Sequence, residues 1–119
     1  MNTRNLLMTV LITLLLGSSF SVYSGGGSGD RKISYIEVTS TGTIILQSAQ
    51  YLFNNPDACK NPYRIVILAS NVDRNLYYAT ALTAYSTDNY IWAYLNGCWD
   101  APWGDQYPIV VNAATRAAH

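Results

Sequence analysis

The stretch Tyr90–Leu95 (YIWAYL) alternates without a break. Ile91, Ala93 and Leu95 fall on one side; Tyr90, Trp92 and Tyr94 fall on the other. Period-two alternation is the mark of a strand with one face against a core. A fold containing this strand must supply that core from other short segments, and the chain has several. Ser34–Ser40 alternates too, with Ile36 and Val38 opposite Tyr35, Glu37 and Thr39. Ser40-Thr41-Gly42 reads as a turn, and Thr43–Ser48 (TIILQS) as the partner strand of a hairpin. Arg64–Leu68 (RIVIL) is a continuous apolar run, as expected of a central strand. Asn54-Asn55-Pro56-Asp57 and Asn61-Pro62 mark irregular chain before it.

One helix is expected. Ser70-Asn71-Val72-Asp73 has the pattern of a capping box, with Asp for the usual Glu. Tyr78, Ala81, Leu82 and Tyr85 then share a helical face, and Thr87-Asp88-Asn89 ends it. Asn96-Gly97 is expected to turn the chain after the strongest strand. Tyr107–Val111 (YPIVV) is expected as a last short strand, at an edge or a strand start because of Pro108. The order β-β-β-α-β-β is that of an OB-fold-like small five-stranded barrel, mainly β with one helix.

The N-terminus carries a different message. Arg4 precedes an apolar stretch, Leu6–Leu16, and then small and polar residues up to Ser24. Those are the three regions of a secretory signal peptide, expected over residues 1–24. Cleavage after Ser24 is favoured, with cleavage after Ser21 as the competitor. Residues 25–31 are expected as a flexible Gly/Ser-rich tether, and residues 32–119 as a single OB-fold-like domain. The protein is therefore expected to be secreted or periplasmic.

Composition bounds the function. Half of the 119 residues are hydrophobic, 12% are charged and the formal net charge is zero. Such a chain is not intrinsically disordered and has no basic footprint for nucleic acid. No apolar run reaches the roughly 18 residues of a membrane span. Its two cysteines, Cys59 and Cys98, allow one pairing, and an exported chain favours the disulfide. The loop so closed is worth roughly 4 kcal/mol by chain entropy.

The stretch YATALTAYSTDNYIWAYL (Tyr78–Leu95), with Gly97-Cys98, Tyr107-Pro108-Ile109-Val110 and the upstream Asn55-Pro56-Asp57-x-Cys59, resembles a group of small exported bacterial proteins. Most of that group have no assigned activity. The helix-to-strand segment is more distantly similar to B subunits of subtilase-cytotoxin-like and pertussis-like toxins. The likeness implies an OB-fold, the Cys59–Cys98 bridge and, through the toxin subunits, pentamers that bind sialylated glycans beside a catalytic A subunit. It covers about half of the chain after Ser24, and no glycan-contacting residue carries over.

Catalytic chemistry has little to rest on. His119, the only histidine, is the last residue, and no glycine-rich phosphate loop is followed by Lys-Ser/Thr. No enzyme activity and no cofactor is expected. Two features suit a binding module instead. Tyr90, Trp92 and Tyr94 would lie side by side on one strand face. There they stack on a sugar, form a homo-oligomer interface, or pack under another element. Trp99, Asp100, Trp103 and Asp105 flank the stiffening Pro102 between the last two strands. In OB-folds that loop contacts oligosaccharides, with indole faces for C–H surfaces and carboxylates for hydroxyls. The other readings are two tryptophans folded over a barrel end and a calcium site on Asp100 and Asp105. The expected partner is a glycan or another protein. The alternative function is an exported structural or inhibitor-like envelope protein with no glycan ligand.

Overall fold

The computed structural model describes residues 23–118. The expected signal peptide, up to residue 22, and His119 lie outside the described residues. Among the described residues six strands and one helix follow in chain order: β1 (Gly26–Gly27), β2 (Ile33–Val38), β3 (Ile44–Ser48), β4 (Arg64–Ile67), α1 (Arg74–Ser86), β5 (Tyr90–Asp100) and β6 (Gln106–Arg116).

The first hairpin forms as its alternation dictates. Tyr35 pairs with Gln47 and Glu37 with Ile45 across β2 and β3. Tyr35 and Glu37 share the outer face, where the Tyr35 hydroxyl donates to the Glu37 carboxylate at 2.6 Å. Val38, expected to point inward with Ile36, is exposed instead. It is the last residue of a strand whose register has already shifted between Ile33 and Tyr35. The meander continues antiparallel into β4, which then pairs in parallel with β6 at Val66 and Ile109. Parallel neighbours need a long crossover, and here α1 and β5 provide it. β6 returns antiparallel along β5. Finally Arg31, just before β2, makes a two-way backbone bridge with Ile91 of β5, at 3.0 and 2.8 Å. This bridge brings the chain before β2 back to β5, so the mainly-β sheet, ordered β1-β5-β6-β4-β3-β2 with one helix, curls toward its own start.

The continuous apolar runs mean burial on two faces. Ile44, Leu46, Ile65 and Ile67 point into the main core with Phe53, Ile91, Ala93, Leu95 and Val110. Ile45 and Val66 point outward, yet they too are fully buried, under Tyr107 and Ala101 with Trp99 and Leu68. A second small core thus covers the outside of β3 and β4.

Several expectations are corrected. The tether of residues 25–31 is not free. Gly26 and Gly27 pair with Leu95 and Tyr94 as β1. Buried Ser28 bonds Ala93 in both directions, its N–H to the carbonyl at 2.7 Å and its hydroxyl accepting the Ala93 N–H at 2.8 Å. The physical reason is the open edge of β5, whose backbone groups need partners. The fit is close: a Cβ on Gly27 would stand 3.0 Å from the Trp92 indole nitrogen, so the indole would have to move for any larger residue. Asn96-Gly97 is not a turn. Gly97 takes φ +84° in a bulge, and β5 runs on to Asp100. β6 is longer than Tyr107–Val111 and lies inside the sheet, with Pro108 one residue before its contact with β4.

The helix is real, but its buried face is rotated. Ala81 and Ala84 are buried, whereas Leu82 and Tyr85 are exposed. The small alanines let the helix approach the sheet, where the Thr115 hydroxyl bonds the Thr80 carbonyl at 3.1 Å. The capping box does not close: Asp73 makes no side-chain cap. Asn71 instead accepts the Asp73 N–H at 2.9 Å. At the other end Asp88 takes a left-handed conformation, φ +56°, and the Asn89 N–H reaches the Ala84 carbonyl at 2.9 Å. That closure satisfies the last carbonyls.

Candidate functional site

The disulfide forms as expected, with Cα atoms of Cys59 and Cys98 5.6 Å apart. It ties the irregular segment 49–63 to the last, turn-ward residues of β5, just past the Gly97 bulge. Asn55 braces the same place, donating to the Cys59 carbonyl at 2.7 Å and accepting its N–H at 2.9 Å. With this segment fixed, Asn61 and Tyr63 are delivered to the outer face of the barrel, next to the β5–β6 hairpin. The Asn61 N–H donates to the Gln106 carbonyl at 2.9 Å.

On that face lies a groove of about 480 Å³, lined by Gln47, Asn61, Tyr63, Arg64, Trp103, Asp105 and Tyr107. Cross-strand pairing builds its floor. Tyr35, Gln47 and Arg64 are successive partners across β2, β3 and β4. The Arg64 guanidinium lies 5.8 Å from each of the Tyr35 and Tyr107 ring centroids, and its Nε donates to Gln47 at 3.0 Å. Such ring contacts are worth about 0.5–1 kcal/mol each at exposed sites.

The hairpin builds the wall. Trp99, Trp103 and Tyr107 form a three-ring cluster with centroids 6.0–6.3 Å apart. The Trp103 indole N–H donates to the Tyr107 hydroxyl at 3.0 Å. Tyr107 is 1% exposed and fixed, whereas Trp103 is 53% exposed. The outcome is a flat apolar face held in place and left open to solvent. Beside it, Asp105 accepts from Asn61 at 3.0 Å and from the Gln106 N–H at 2.9 Å. These bonds, the Asn61 one foremost, hold its carboxyl below the usual carboxylate range. Glu37 acts the other way on Tyr35, whose phenol is pushed up chiefly by the hydrogen bond it donates to that carboxylate.

The four residues singled out between the last two strands therefore separate. Trp103 and Asp105 line the groove. Trp99 belongs to β5 and packs over Ile45 and Val66 as its backing. Asp100 points elsewhere, accepting from the Gln106 side chain at 2.9 Å. Asp100 and Asp105 thus take different groups of Gln106, its side-chain amide and its backbone N–H, and no cluster of three metal-ligating side chains occurs among the described residues.

The second feature, Tyr90, Trp92 and Tyr94, does face away from the core, and each ring is half-buried by its own chain. Lys32 sits 6.0 Å from the Tyr90 centroid and Arg116 4.9 Å from that of Trp92. β1 crosses Trp92 and Tyr94. Gln47, Asn61, Tyr63 and Arg64 were not singled out from sequence. The available signal is local: Tyr63-Arg64 opens the apolar run, and Gln47 shares the outward parity of Ile45.

Among the described residues no helix is long and apolar enough to cross a membrane. Comparison with family models, curated proteins and solved structures finds no match to this chain.

Proposed function

We propose that this chain is an exported, non-enzymatic binding module that takes a glycan in the groove between Arg64 and Trp103. The observation that carries the reading is the Trp103 indole, half-exposed yet pinned by Tyr107, with hydrogen-bonding groups at its edge. A sugar ring has an apolar C–H face and a rim of hydroxyls. Trp103 meets the first; Asp105, Asn61, Gln47 and Arg64 meet the second, with both donors and acceptors. The surface includes strand residues and the last hairpin, the part of an OB-fold that serves oligosaccharides. The disulfide suits an oxidising compartment, outside the cytoplasm.

A glycan array probed with the oxidised chain tests the reading. Covering roughly 100 Å² of indole at about 25 cal/mol per Å² gives ~2.5 kcal/mol, or roughly 70-fold in Kd. Trp103→Ala is expected to lose at least tenfold of that while the far-ultraviolet spectrum is unchanged. Glycan binding that survives Trp103→Ala removes this groove as the site.

A further inference from the structure

Asp57 stands at the point where the chain enters the fold. Its Oδ1 accepts the N–H groups of Ser24 at 2.9 Å and Gly25 at 3.2 Å. Its Oδ2 accepts the N–H of Gly97 at 2.8 Å. One partly buried carboxylate thus joins the N-terminal segment, the irregular segment 49–63 and the β5 bulge. No arginine or lysine side chain bonds it among the described residues, so its partners there are all neutral amides. The Tyr94 ring and the Leu95 carbonyl close the other side of Gly25.

The sequence places the favoured signal-peptide cleavage between Ser24 and Gly25. Hydrolysis of that peptide bond adds one water. The Ser24 carbonyl leaves as a carboxylate with the leader, and the Gly25 nitrogen becomes an ammonium. We infer that Asp57 is a receptor for this new N-terminus: processing removes the Ser24 N–H bond and converts the remaining neutral Gly25 contact into an ion pair that fastens β1 to β5. Charge-assisted hydrogen bonds are about twice as strong as neutral ones, and the position is partly screened from water. Cleavage after Ser21 would leave Ser24 and Gly25 on Asp57 as neutral amides and put the charge on Val22, two residues before Ser24. The arrangement therefore distinguishes one processing site from its competitor.

The test has two arms. Intact mass of the exported protein is expected to correspond to a chain beginning at Gly25; a chain beginning at Val22 overturns the inference. The 95-residue chain from Gly25 is then made with a free or an acetylated N-terminus and oxidised. Acetylation keeps the N–H and removes only the charge. It is expected to lower Tm by roughly 4 °C, the lower end of the shift for 1 kcal/mol in a domain of this size. In Asp57→Asn, which keeps an acceptor oxygen for Gly97, acetylation is expected to change nothing. Equal melting of the free and acetylated chains, or the same loss in Asp57→Asn, overturns the inference. The pairwise coupling separates an ion pair from a general structural role of Asp57.

Discussion

Replacing both cysteines, Cys59→Ala with Cys98→Ala, is the perturbation whose size the structure sets most directly. The bridge spans 39 positions. Closing a loop of that length removes roughly 13 cal/mol/K from the unfolded chain, or ~4 kcal/mol at 25 °C. Small domains have only about 5–15 kcal/mol in total, so the loss is a large fraction. It also frees the segment 49–63, which has few regular backbone bonds of its own and carries Asn61 and Tyr63 into the groove. Urea denaturation followed by tryptophan fluorescence reads the effect. With m of roughly 1–1.5 kcal/mol per M, the midpoint is expected to fall by about 3 M. The slope should rise, because the unbridged unfolded chain exposes more surface. A loss below about 1 kcal/mol, with m unchanged, would refute the reasoning. It would mean that the bridge strains the folded chain or that the unfolded chain keeps structure around it.

Other perturbations follow from the same geometry. Gly27→Ala puts a Cβ 3.0 Å from the Trp92 indole, which must shift to make room; overpacking costs about 1–3 kcal/mol where the neighbour cannot give, and a variant that leaves both the melt and the Trp92 indole N–H signal unchanged would show that β1 does not lie across Trp92. Ala84→Leu forces a larger side chain between α1 and the sheet, where Ala84 is fully buried. It is expected to lower Tm by a similar energy, whereas Tyr85→Leu on the exposed side should leave Tm within about 2 °C. Asp105 has a folded-state pKa below its unfolded value. Its contribution is therefore present above the unfolded pKa, about 4, and is lost as pH falls through the folded one. Asp105→Asn should flatten that part of the stability–pH curve, read by melts from neutral pH down to pH ~2; an unchanged curve contradicts the Asn61–Asp105 contact.

How much of this was legible in the sequence depends on how local each feature is. The β5 face was readable because Ile91, Ala93 and Leu95 repeat at period two, and RIVIL because a strand buried on both faces needs no alternation. The helix was readable as a helix, but its inward face was not. Leu82 and Tyr85 are the more apolar choices, yet close helix–sheet approach is decided by side-chain size, and Ala81 and Ala84 win. Gly26-Gly27 carries no side-chain pattern at all. Its strand exists because β5 presents an open edge, a property of the assembled sheet. The groove divides in the same way. Trp103 and Asp105 stood out as an aromatic and an acid beside a proline. Arg64, Gln47 and Tyr35 meet only through the register of three strands, and Asn61 arrives through the disulfide-held segment, so no short window contains them together.

The central claim is that Trp103 meets the ligand while Trp92 lies under its own chain. The protein has three tryptophans, Trp92, Trp99 and Trp103, and each indole N–H gives its own signal in a proton–nitrogen correlation spectrum. The decisive measurement is a titration of the labelled, oxidised chain with the best saccharide from the array. The Trp103 signal is expected to shift progressively with saccharide, that of Trp99 less so, and that of Trp92 not at all. A shift of Trp92 with Trp103 unmoved would contradict the account and move the binding surface to the Tyr90, Trp92 and Tyr94 face.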